Sequence, residues 1–409
     1  MTQFVTRYCD TPQLIVTRMQ KDIQTELIDT FNTPGTKPDD DLMLTLQKTA
    51  CATGIKFFAI IDEWDALFRD FPGQAKAQDE YINLLRRMFK DESASAVFAG
   101  AYLTGILPIK KYNTQSALNN FIEYSMVQSG RLDRYFWFTK SEVQTLCAKH
   151  GMNYDEMERW HDGYQIGREP SVFNPNSVIQ AIYSGECDSY WASTGAYDNV
   201  NQYIRMNFDG LKDDIIKMLA GGRCKVNTTS FLNDMTLINN KDDVFTVMIH
   251  LGYLAFDKQK QECYIPNKEV GDEMVNAVNS SRWTIVSEAL KASEKLLHAT
   301  LNGNEEEVAA GIDRAHDENT SILSYNDENS LSCVLSIAYY YARNEYIMHR
   351  ELPTGKGFAD IVFIPRRHIN KPTIVIELKY NKNSALPLHK LSQSNIPTCS
   401  KTIAAKYCW

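Results

Sequence analysis

Two short apolar runs near the end of the chain, separated by a polar loop, constrain its fold more than any other feature. Residues 358–364 and 373–378 are rich in β-branched side chains and are flanked by glycine and proline, as in strands buried in a sheet. If they pair as an antiparallel hairpin, Asp360 and Glu377 approach each other. Lys379 shares the face of Glu377, because side chains alternate along a strand. The pattern therefore predicts two carboxylates and an ammonium group at one place.

Such a set of side chains is suited to binding Mg²⁺. This ion prefers oxygen ligands and usually takes one or two protein carboxylates together with waters and phosphate oxygens. A lysine beside the ion can orient the attacking water and offset the charge that develops on a phosphate. The residue types alone leave a second interpretation open, in which Glu377 and Lys379 are an ordinary polar pair at a strand end.

Composition places the chain among ordinary globular proteins. Of its 409 residues, 44% are apolar and 23% charged, and this length allows two or more domains. No apolar run approaches the ~18 residues of a membrane span, and the first residues lack a signal-peptide pattern. The nine cysteines are scattered without a CxxC pair, which favours free thiols over disulfides or zinc. We therefore expect a cytoplasmic protein without a membrane partner.

Charge is distributed unevenly along the chain. The formal net charge of −8 argues against a protein that coats nucleic acid non-specifically. Residues 353–409, however, contain nine Lys and Arg against two acids, Asp360 and Glu377. The basic end is thus the end that carries the predicted metal site.

The N-terminal third is expected to alternate between strands and helices. We predict strands at residues 4–9, 57–61 and 96–108 and helices at residues 12–31, 42–53 and 80–90. Asp62 and Glu63 follow the second strand directly, which resembles a Walker B motif, whose first acid helps to hold Mg²⁺ on a nucleotide and whose second polarises the attacking water. Thr104 fits the place of the sensor residue at the end of the third strand. A buried strand that ends in an acidic turn gives the same pattern, and Thr104 could equally be a strand-end residue without a special role.

The middle of the chain is predicted to be mainly helical. Helices are expected at residues 132–151, 154–163, 211–220, 230–238 and 243–250, followed by strands at 252–257 and 262–266 and by helices at 280–302 and 304–315. Helices followed by a small hairpin suggest a winged-helix-like module. Its aspartates (Asp209, Asp213, Asp214, Asp242 and Asp243) argue against a basic DNA-binding face and favour a packing role.

A resemblance to a known family covers nearly the whole chain. Asp360 followed by Glu377-Leu-Lys379 resembles the D…(D/E)xK signature of the PD-(D/E)XK nuclease superfamily, and Gly355-Lys-Gly-Phe-Ala-Asp360 is similar to the lead-in of one branch of it. Other motifs follow the order seen in bacterial AAA-ATPase-like proteins with a C-terminal nuclease domain of this kind. They are Ile61-Asp-Glu-Trp-Asp65, Leu103-Thr-Gly-Ile-Leu-Pro-Ile-Lys-Lys-Tyr112, Phe138-Thr-Lys-Ser-Glu-Val143, Trp160-His-Asp-Gly-Tyr164, Phe173-Asn-Pro-Asn-Ser-Val178, Tyr190-Trp191 and Tyr264-Ile-Pro-Asn-Lys-Glu269.

The resemblance implies an α/β chain built from several parts. Residues 1–130 are expected to form a partial RecA/AAA-like core with a parallel sheet, 131–200 a helical lid, 201–280 the winged-helix-like module and 281–318 a helical linker. Residues 319–385 would form an incomplete PD-(D/E)XK nuclease-like α/β domain, and 386–409 an irregular tail. The resemblance also implies Glu328 as a further metal ligand beside Asp360 and Glu377. Glu328 could instead be a first-turn acid stabilised by a helix dipole.

The chain departs from the family pattern in two places. It contains no GxxxxGK[ST] phosphate-binding loop, whose amides and lysine would cradle the phosphates of a nucleotide, so we expect neither ATP as a cofactor nor ATP hydrolysis. A truncated N-terminus or a degenerate site would explain this. The family continues after Lys379 with a helix that contains a Gln-Ile pair, whereas residues 386–409 carry two prolines and no helical period, so we expect an aberrant C-terminus.

Two functional hypotheses follow. The first is a Mg²⁺-dependent nuclease in which Asp360, Glu377 and Glu328 bind the ion, Lys379 assists the nucleophilic water, and DNA or RNA is the substrate. The second is a catalytically silent ATPase-like protein that binds nucleic acid or protein partners, in which Asp62, Glu63 and Thr104 are relics of a nucleotide site.

Overall fold

The computed structural model describes residues 1–106, 118, 120–191, 203–206, 208–231, 238–280, 284–320, 328–353, 358–367, 369–379 and 402–408. Helices and strands are mixed throughout, so the chain is an α/β protein, as predicted. By its internal contacts the chain divides into two units. The first comprises Met1–Phe136, Gln165–Pro170 and Val226–Lys258, and the second comprises Trp137–Tyr164, Ser171–Lys225 and Gln259–Trp409.

Residues 1–103 form six α-helices, a 3-10 turn (Pro12–Leu14) and two strands. The helices and strands are α1 (Thr2–Arg7), α2 (Ile15–Phe31), α3 (Leu42–Thr53), β1 (Phe57–Ile61), α4 (Ala66–Asp70), α5 (Ala75–Lys90), α6 (Ala94–Val97) and β2 (Phe98–Leu103). Helix α3 begins and ends as predicted, because the Asp41 carboxylate accepts a hydrogen bond from the Leu44 amide (2.8 Å) and Gly54 adopts a left-handed φ of 70°. These are ordinary helix-capping devices.

The predicted strand at residues 4–9 is wrong, since α1 occupies that place. The Tyr8 amide donates to the Phe4 carbonyl oxygen at 3.0 Å and closes a helical turn. Val5 is buried and Phe4 packs beside it against the core of the first unit. Six residues are too few to distinguish the apolar periodicity of a strand from that of a helix, and here tertiary packing selects the helix.

Strands β1 and β2 are parallel, with Ile61 opposite Leu103, and α4 to α6 connect them. A parallel pair joined by a helical crossover is the arrangement predicted for these strands. Helices α2 to α5 bury the core of the unit, in which Ile15, Leu67 and Leu85 are fully excluded from solvent. The carboxyl ends of both strands lie at the same edge, which brings Asp62 towards Thr104.

The next segment contains β3 (Phe138–Thr139), α7 (Lys140–His150), α8 (Tyr154–His161), β4 (Tyr164–Ile166), β5 (Glu169–Phe173) and α9 (Pro175–Ser184). The helix predicted from residue 132 begins only at Lys140. Thr139 and Glu142 form a capping box there, in which the Glu142 carboxylate accepts from the Thr139 amide at 2.8 Å. This T-x-x-E pattern is a helix start signal, and the residues before it pair or turn instead.

The region around the expected winged-helix-like module contains α10 (Leu211–Leu219), β6 (Cys224–Lys225), α11 (Lys241–His250), β7 (Ala255–Asp257), β8 (Glu262–Tyr264) and α12 (Lys268–Ser280). The helices at 211–220 and 243–250 and both strands are confirmed. Strand β8 pairs antiparallel with β6, through Cys224 opposite Cys263, and β6 was not expected. Residues 232–237, most of the helix predicted at 230–238, lie outside the described residues.

The C-terminal part contains α13 (Thr284–Leu301), α14 (Glu305–Thr320), α15 (Glu328–Ala338), a 3-10 turn (Tyr340–Asn344), β9 (Tyr346–Pro353), β10 (Phe358–Pro365), β11 (Thr373–Lys379) and β12 (Thr402–Cys408). The sheet order is β12-β11-β10-β9. Strand β10 is antiparallel to both β9 and β11, and β12 is parallel to β11. The predicted hairpin of β10 and β11 is confirmed. Strand β12 lies in the tail for which no regular element is expected.

Helices α13 to α15 cover one face of this sheet. Ile361, Phe363, Ile374 and Ile376 are fully buried against helical side chains such as Leu335. Burying side chains of this size stabilises a fold by about 1.5–3 kcal/mol each. The hairpin is therefore fixed in register by its buried face.

Among the helices in the described part of the chain, none combines the length and the apolar character needed to cross a membrane.

Candidate functional site

The hairpin of β10 and β11 brings the two predicted carboxylates together. Ile361 pairs with Ile376, Val362 with Val375 and Phe363 with Ile374. Asp360 and Glu377 are each one residue beyond the first of these pairs, so the same register sets them opposite each other. Residues directly opposite on antiparallel strands have Cβ atoms about 4.5–5.5 Å apart. The backbone therefore places the two acids close enough to share one cation.

The pair lies on the face of the sheet that helices α13 to α15 do not cover. Ile361 and Ile376 face those helices, whereas Val362 and Val375 form a separate buried cluster on the other face. Since side chains alternate along a strand, Asp360 shares the face of Val362 and Glu377 shares that of Val375. Both acids are partly accessible to solvent, as ligands of an exchangeable ion need to be.

Lys379 occupies the expected position on the same face. It is two residues after Glu377 on β11, where Lys379 pairs with Cys408 of β12. The register therefore places the predicted acid, acid and lysine positions at one corner of the sheet.

Two further charged positions lie in the same row and were missed by sequence reasoning. Glu377 pairs with Lys406 on β12. On β9, Glu351 is opposite Asp360, because Ala359 pairs with Leu352 and Ile361 with Arg350. Only the strand pairing shows that Lys406 and Glu351 are neighbours of the two acids, since neither residue belongs to a motif.

Glu328 is the first residue of α15, so it belongs to the first turn of a helix. Its side chain lies outside the described part of the structure. Helix α15 packs through Val334 and Leu335 on the face of Ile361, and the role of Glu328 as a ligand stays a prediction.

The donor set fits a hard divalent cation in kind and in number. Within the described residues, no group of three or more His, Cys, Asp or Glu side chains forms a metal site. Two carboxylates nevertheless suffice for Mg²⁺, which keeps several waters and completes its shell with phosphate oxygens. Zinc, by contrast, takes four nitrogen, sulfur or carboxylate ligands in its structural sites. The pair Asp360 and Glu377 thus suits Mg²⁺ or Mn²⁺.

The acids after β1 meet Thr104 at the end of β2. The Thr104 hydroxyl donates to the Asp62 carboxylate, and the Glu63 amide donates to the Thr104 hydroxyl at 3.2 Å. Backbone hydrogen bonds from Thr104 to Ile61 (2.9 Å) and from Trp64 to Thr104 (2.8 Å) hold the two loops together. The three residues assigned to a nucleotide site therefore converge as expected.

Neighbouring side chains already engage the second of these acids. Arg69 on α4 forms an ion pair with Glu63 and lies 3.5 Å from the buried Asp65 carboxylate. The Thr2 hydroxyl donates to Glu63 at 3.1 Å. Glu63 itself has a left-handed φ of 49°, which is uncommon for a residue other than glycine. Glu63 is thus oriented by contacts within the protein.

The signature motifs of the middle region bind one another. His161 Nδ1 lies 2.9 Å from a carboxylate oxygen of Glu269, and both side chains are buried. The other oxygen of Glu269 accepts from the amides of Tyr190 (2.7 Å) and Trp191 (2.6 Å). The Glu269 carboxylate thereby connects α12 both to α8 and to the segment that follows α9.

Further contacts tighten this joint, which we define as the contact of residues 160–164 with residues 264–269. The Asn267 side-chain amide donates to the Asp162 carbonyl at 2.9 Å, and the Tyr264 hydroxyl donates to the Gly163 carbonyl at 3.1 Å. Burial raises the pKa of Asp162, although the Ser171 hydroxyl opposes this by donating to its carboxylate. These contacts hold the motifs of the middle region against one another.

Searches of protein-family profiles, curated proteins and solved structures found no match to this chain.

Proposed function

We propose that this chain is a Mg²⁺-dependent nuclease that hydrolyses phosphodiester bonds in DNA or RNA. The single observation that supports this most is the register that sets Asp360 opposite Glu377. The ordered motifs that resemble AAA-ATPase-like proteins with a C-terminal PD-(D/E)XK domain support the same proposal, with nucleic acid as the partner.

Asp360 and Glu377 would hold the cation through their carboxylate oxygens, with Glu328 as a third ligand. Mg²⁺, when bound, acts as a Lewis acid on a phosphate oxygen and lowers the pKa of a coordinated water. Lys379 would orient the attacking water and offset the negative charge that develops on the phosphate. The cations of residues 353–409 would attract the nucleic-acid backbone, because they outnumber the acids there by nine to two.

The test is cleavage of end-labelled DNA and RNA by the full chain with Mg²⁺ or Mn²⁺. We expect Asp360→Asn, Glu377→Gln and Lys379→Ala each to lower the rate by about 100-fold or more, the usual size of a lost charge-stabilising group. Lys371→Ala is the matched control. Lys371 belongs to the loop before β11 and forms an ion pair with Glu345, so its removal changes the charge of the same sheet at its other end.

Cleavage that survives Lys379→Ala at the wild-type rate would exclude this site. A contaminating nuclease would show the same insensitivity, so the three variants also control for purity.

A second candidate is a catalytically silent ATPase-like protein that binds nucleic acid or partners. The contacts of Arg69 and Thr2 with Glu63 favour it, because an acid held in this way is not placed to polarise a water. This candidate predicts no ATP hydrolysis and no cleavage of nucleic acid, with binding of nucleic acid that does not change in Asp360→Asn.

A further inference from the structure

A cavity of about 560 Å³ lies within the second unit, away from the carboxylate pair. Its walls come from α8, the loop after α10, the start of α12, α13, the 3-10 turn, the start of β9 and the residue after β10. Small-molecule sites typically enclose about 300–1,000 Å³. The cavity is therefore large enough for an organic ligand.

Its lining is strongly basic. Six cationic side chains and one acidic side chain line it; the cations are Arg159, Arg223, Lys268, Lys291, Arg343 and Arg366. The acid, Asp272, is already paired with Lys268. In a chain whose net charge is −8, such a local excess of positive charge points to an anionic ligand.

Arg343 is the clearest sign of a missing partner. Its Nη2 nitrogen is buried and has no hydrogen-bond partner in the described structure. The guanidinium stacks over the Tyr340 ring at 5.0 Å, and burial together with the nearby Arg350 lowers the pKa of Arg343. No ion pair of Arg343 occurs among the described residues, and a buried cation without an anion is costly.

Two more guanidinium groups are held by the 3-10 turn that carries Arg343. Arg366 donates to the Arg343 carbonyl at 3.2 and 3.4 Å, and Arg159 donates to the Asn344 side-chain oxygen at 3.0 Å. Burial, with a contribution from Arg159, lowers the pKa of Arg366 to about 10. Arg159 and Arg366 repel each other, and Glu156, which lies 3.6 Å from Arg159, offsets part of this repulsion. A multiply charged anion would offset the rest.

The cavity is separate from the proposed nuclease site. Arg366 follows the end of β10, whereas Asp360 is near its start. Six residues of an extended strand span about 20 Å. The ligand of this cavity is therefore not the phosphodiester that the carboxylate pair would cleave.

We propose that this cavity binds a phosphorylated small molecule of nucleotide size, whose phosphate offsets the positive charge of Arg343. Phosphate is favoured over a single carboxylate because it carries more negative charge and several cations line the cavity. The volume suits one nucleotide, whereas a nucleic-acid strand lies in an extended groove. This proposal does not depend on nuclease activity.

The experiment measures binding of inorganic pyrophosphate and ADP to the full chain by calorimetry and by the shift in melting temperature. We expect both to bind wild type and to raise its melting temperature. Arg343→Met should weaken binding by at least about tenfold, because it removes one positive charge beside the phosphate. The same variant without ligand should be at least as stable as wild type, because it removes an unpaired buried charge.

Two further variants keep the test decisive. Lys291 is exposed at the mouth of the cavity, so Lys291→Met should fold normally and bind several-fold more weakly. Lys149 is exposed near the end of α7 and does not line the cavity, so Lys149→Met should bind like wild type. The proposal is overturned if neither pyrophosphate nor ADP binds at millimolar concentration, if only an oligonucleotide binds, or if Arg343→Met binds as tightly as wild type. Undiminished binding to Arg343→Met would place the ligand elsewhere, for example at the cluster of Asp62, Glu63 and Thr104.

Discussion

At the scale of single residues, the Glu269 carboxylate is the contact on which the middle of the chain depends most. It accepts hydrogen bonds from two backbone amides and meets His161 in a buried environment. Removing a buried acceptor leaves each of its donors unsatisfied, at about 1–3 kcal/mol per group.

We therefore expect Glu269→Ala to lower the free energy of unfolding by about 3 kcal/mol or more, as measured by urea denaturation. Glu158→Ala on α8 is the matched control. Its ion pair with Lys140 is largely exposed, so its loss should cost no more than about 1 kcal/mol. Equal effects of the two variants would show that the Glu269 network does not stabilise the joint.

His250 gives the fold a dependence on pH. Burial at the end of α11 lowers the pKa of His250 to about 4, below its ordinary value of about 6.5. The unfolded chain therefore takes up a proton first as the pH falls. The stabilisation from keeping this imidazole neutral is complete above about pH 6.5 and is lost between about pH 6.5 and 4.

His250→Gln should remove this contribution. Between pH 7 and 4, wild type should lose about 2–3 kcal/mol more of its unfolding free energy than the variant, by chemical denaturation at each pH. Parallel curves for the two proteins would contradict the assignment.

At the scale of elements, the turn from α8 into β4 depends on the absence of a side chain at Gly163. Its φ is 101°, and a Cβ there would lie 2.0 Å from the Pro266 carbonyl oxygen. Since that oxygen belongs to the backbone, the clash cannot be relieved by a rotamer change. Gly151, at the end of α7, also has a positive φ (70°), but a Cβ there would meet nothing within 4 Å.

The two glycines allow the steric effect to be separated from backbone strain. Gly151→Ala should cost only about 1–2 kcal/mol for the left-handed conformation. Gly163→Ala should lower the free energy of unfolding by clearly more, because the new Cβ clashes with the Pro266 carbonyl oxygen. Its melting temperature should therefore fall further than that of Gly151→Ala, and the contacts of the joint should be lost. Similar melting temperatures for both variants would mean that residues 163 and 266 are not packed as described.

Elements with strong local signals were predictable from the sequence. The hairpin of β10 and β11 followed from two β-branched runs between glycine and proline, and the end of α3 followed from Gly54. The positions of Asp360 and Glu377 were predictable for the same reason. Alternation along a strand and an antiparallel register decide them together.

Elements that depend on distant contacts were not predictable. Strands β6 and β12 are recognisable only through their partners β8 and β11. The opposition of Glu351 to Asp360 appears only once β9 is paired. The cavity gathers Arg159, Arg343 and Arg366 from segments far apart in sequence, and no local pattern marks them as neighbours.

At the scale of the whole molecule, the chain is an α/β protein of two units with different chemistry. The first unit contains the cluster of Asp62, Glu63 and Thr104, and the second contains the carboxylate pair, the joint and the basic cavity. The central claim concerns the second unit, where Asp360 and Glu377 are proposed to share one divalent cation.

Titration with Mn²⁺, followed by electron paramagnetic resonance, tests this claim most directly, because it detects the ion without requiring a substrate. We predict that wild type binds a single Mn²⁺ per chain, that Mg²⁺ displaces it, and that the double variant Asp360→Asn, Glu377→Gln loses it while keeping the circular dichroism of wild type. Arg343→Met should bind Mn²⁺ normally. Absence of binding to wild type, or undiminished binding to the double variant, would contradict the account.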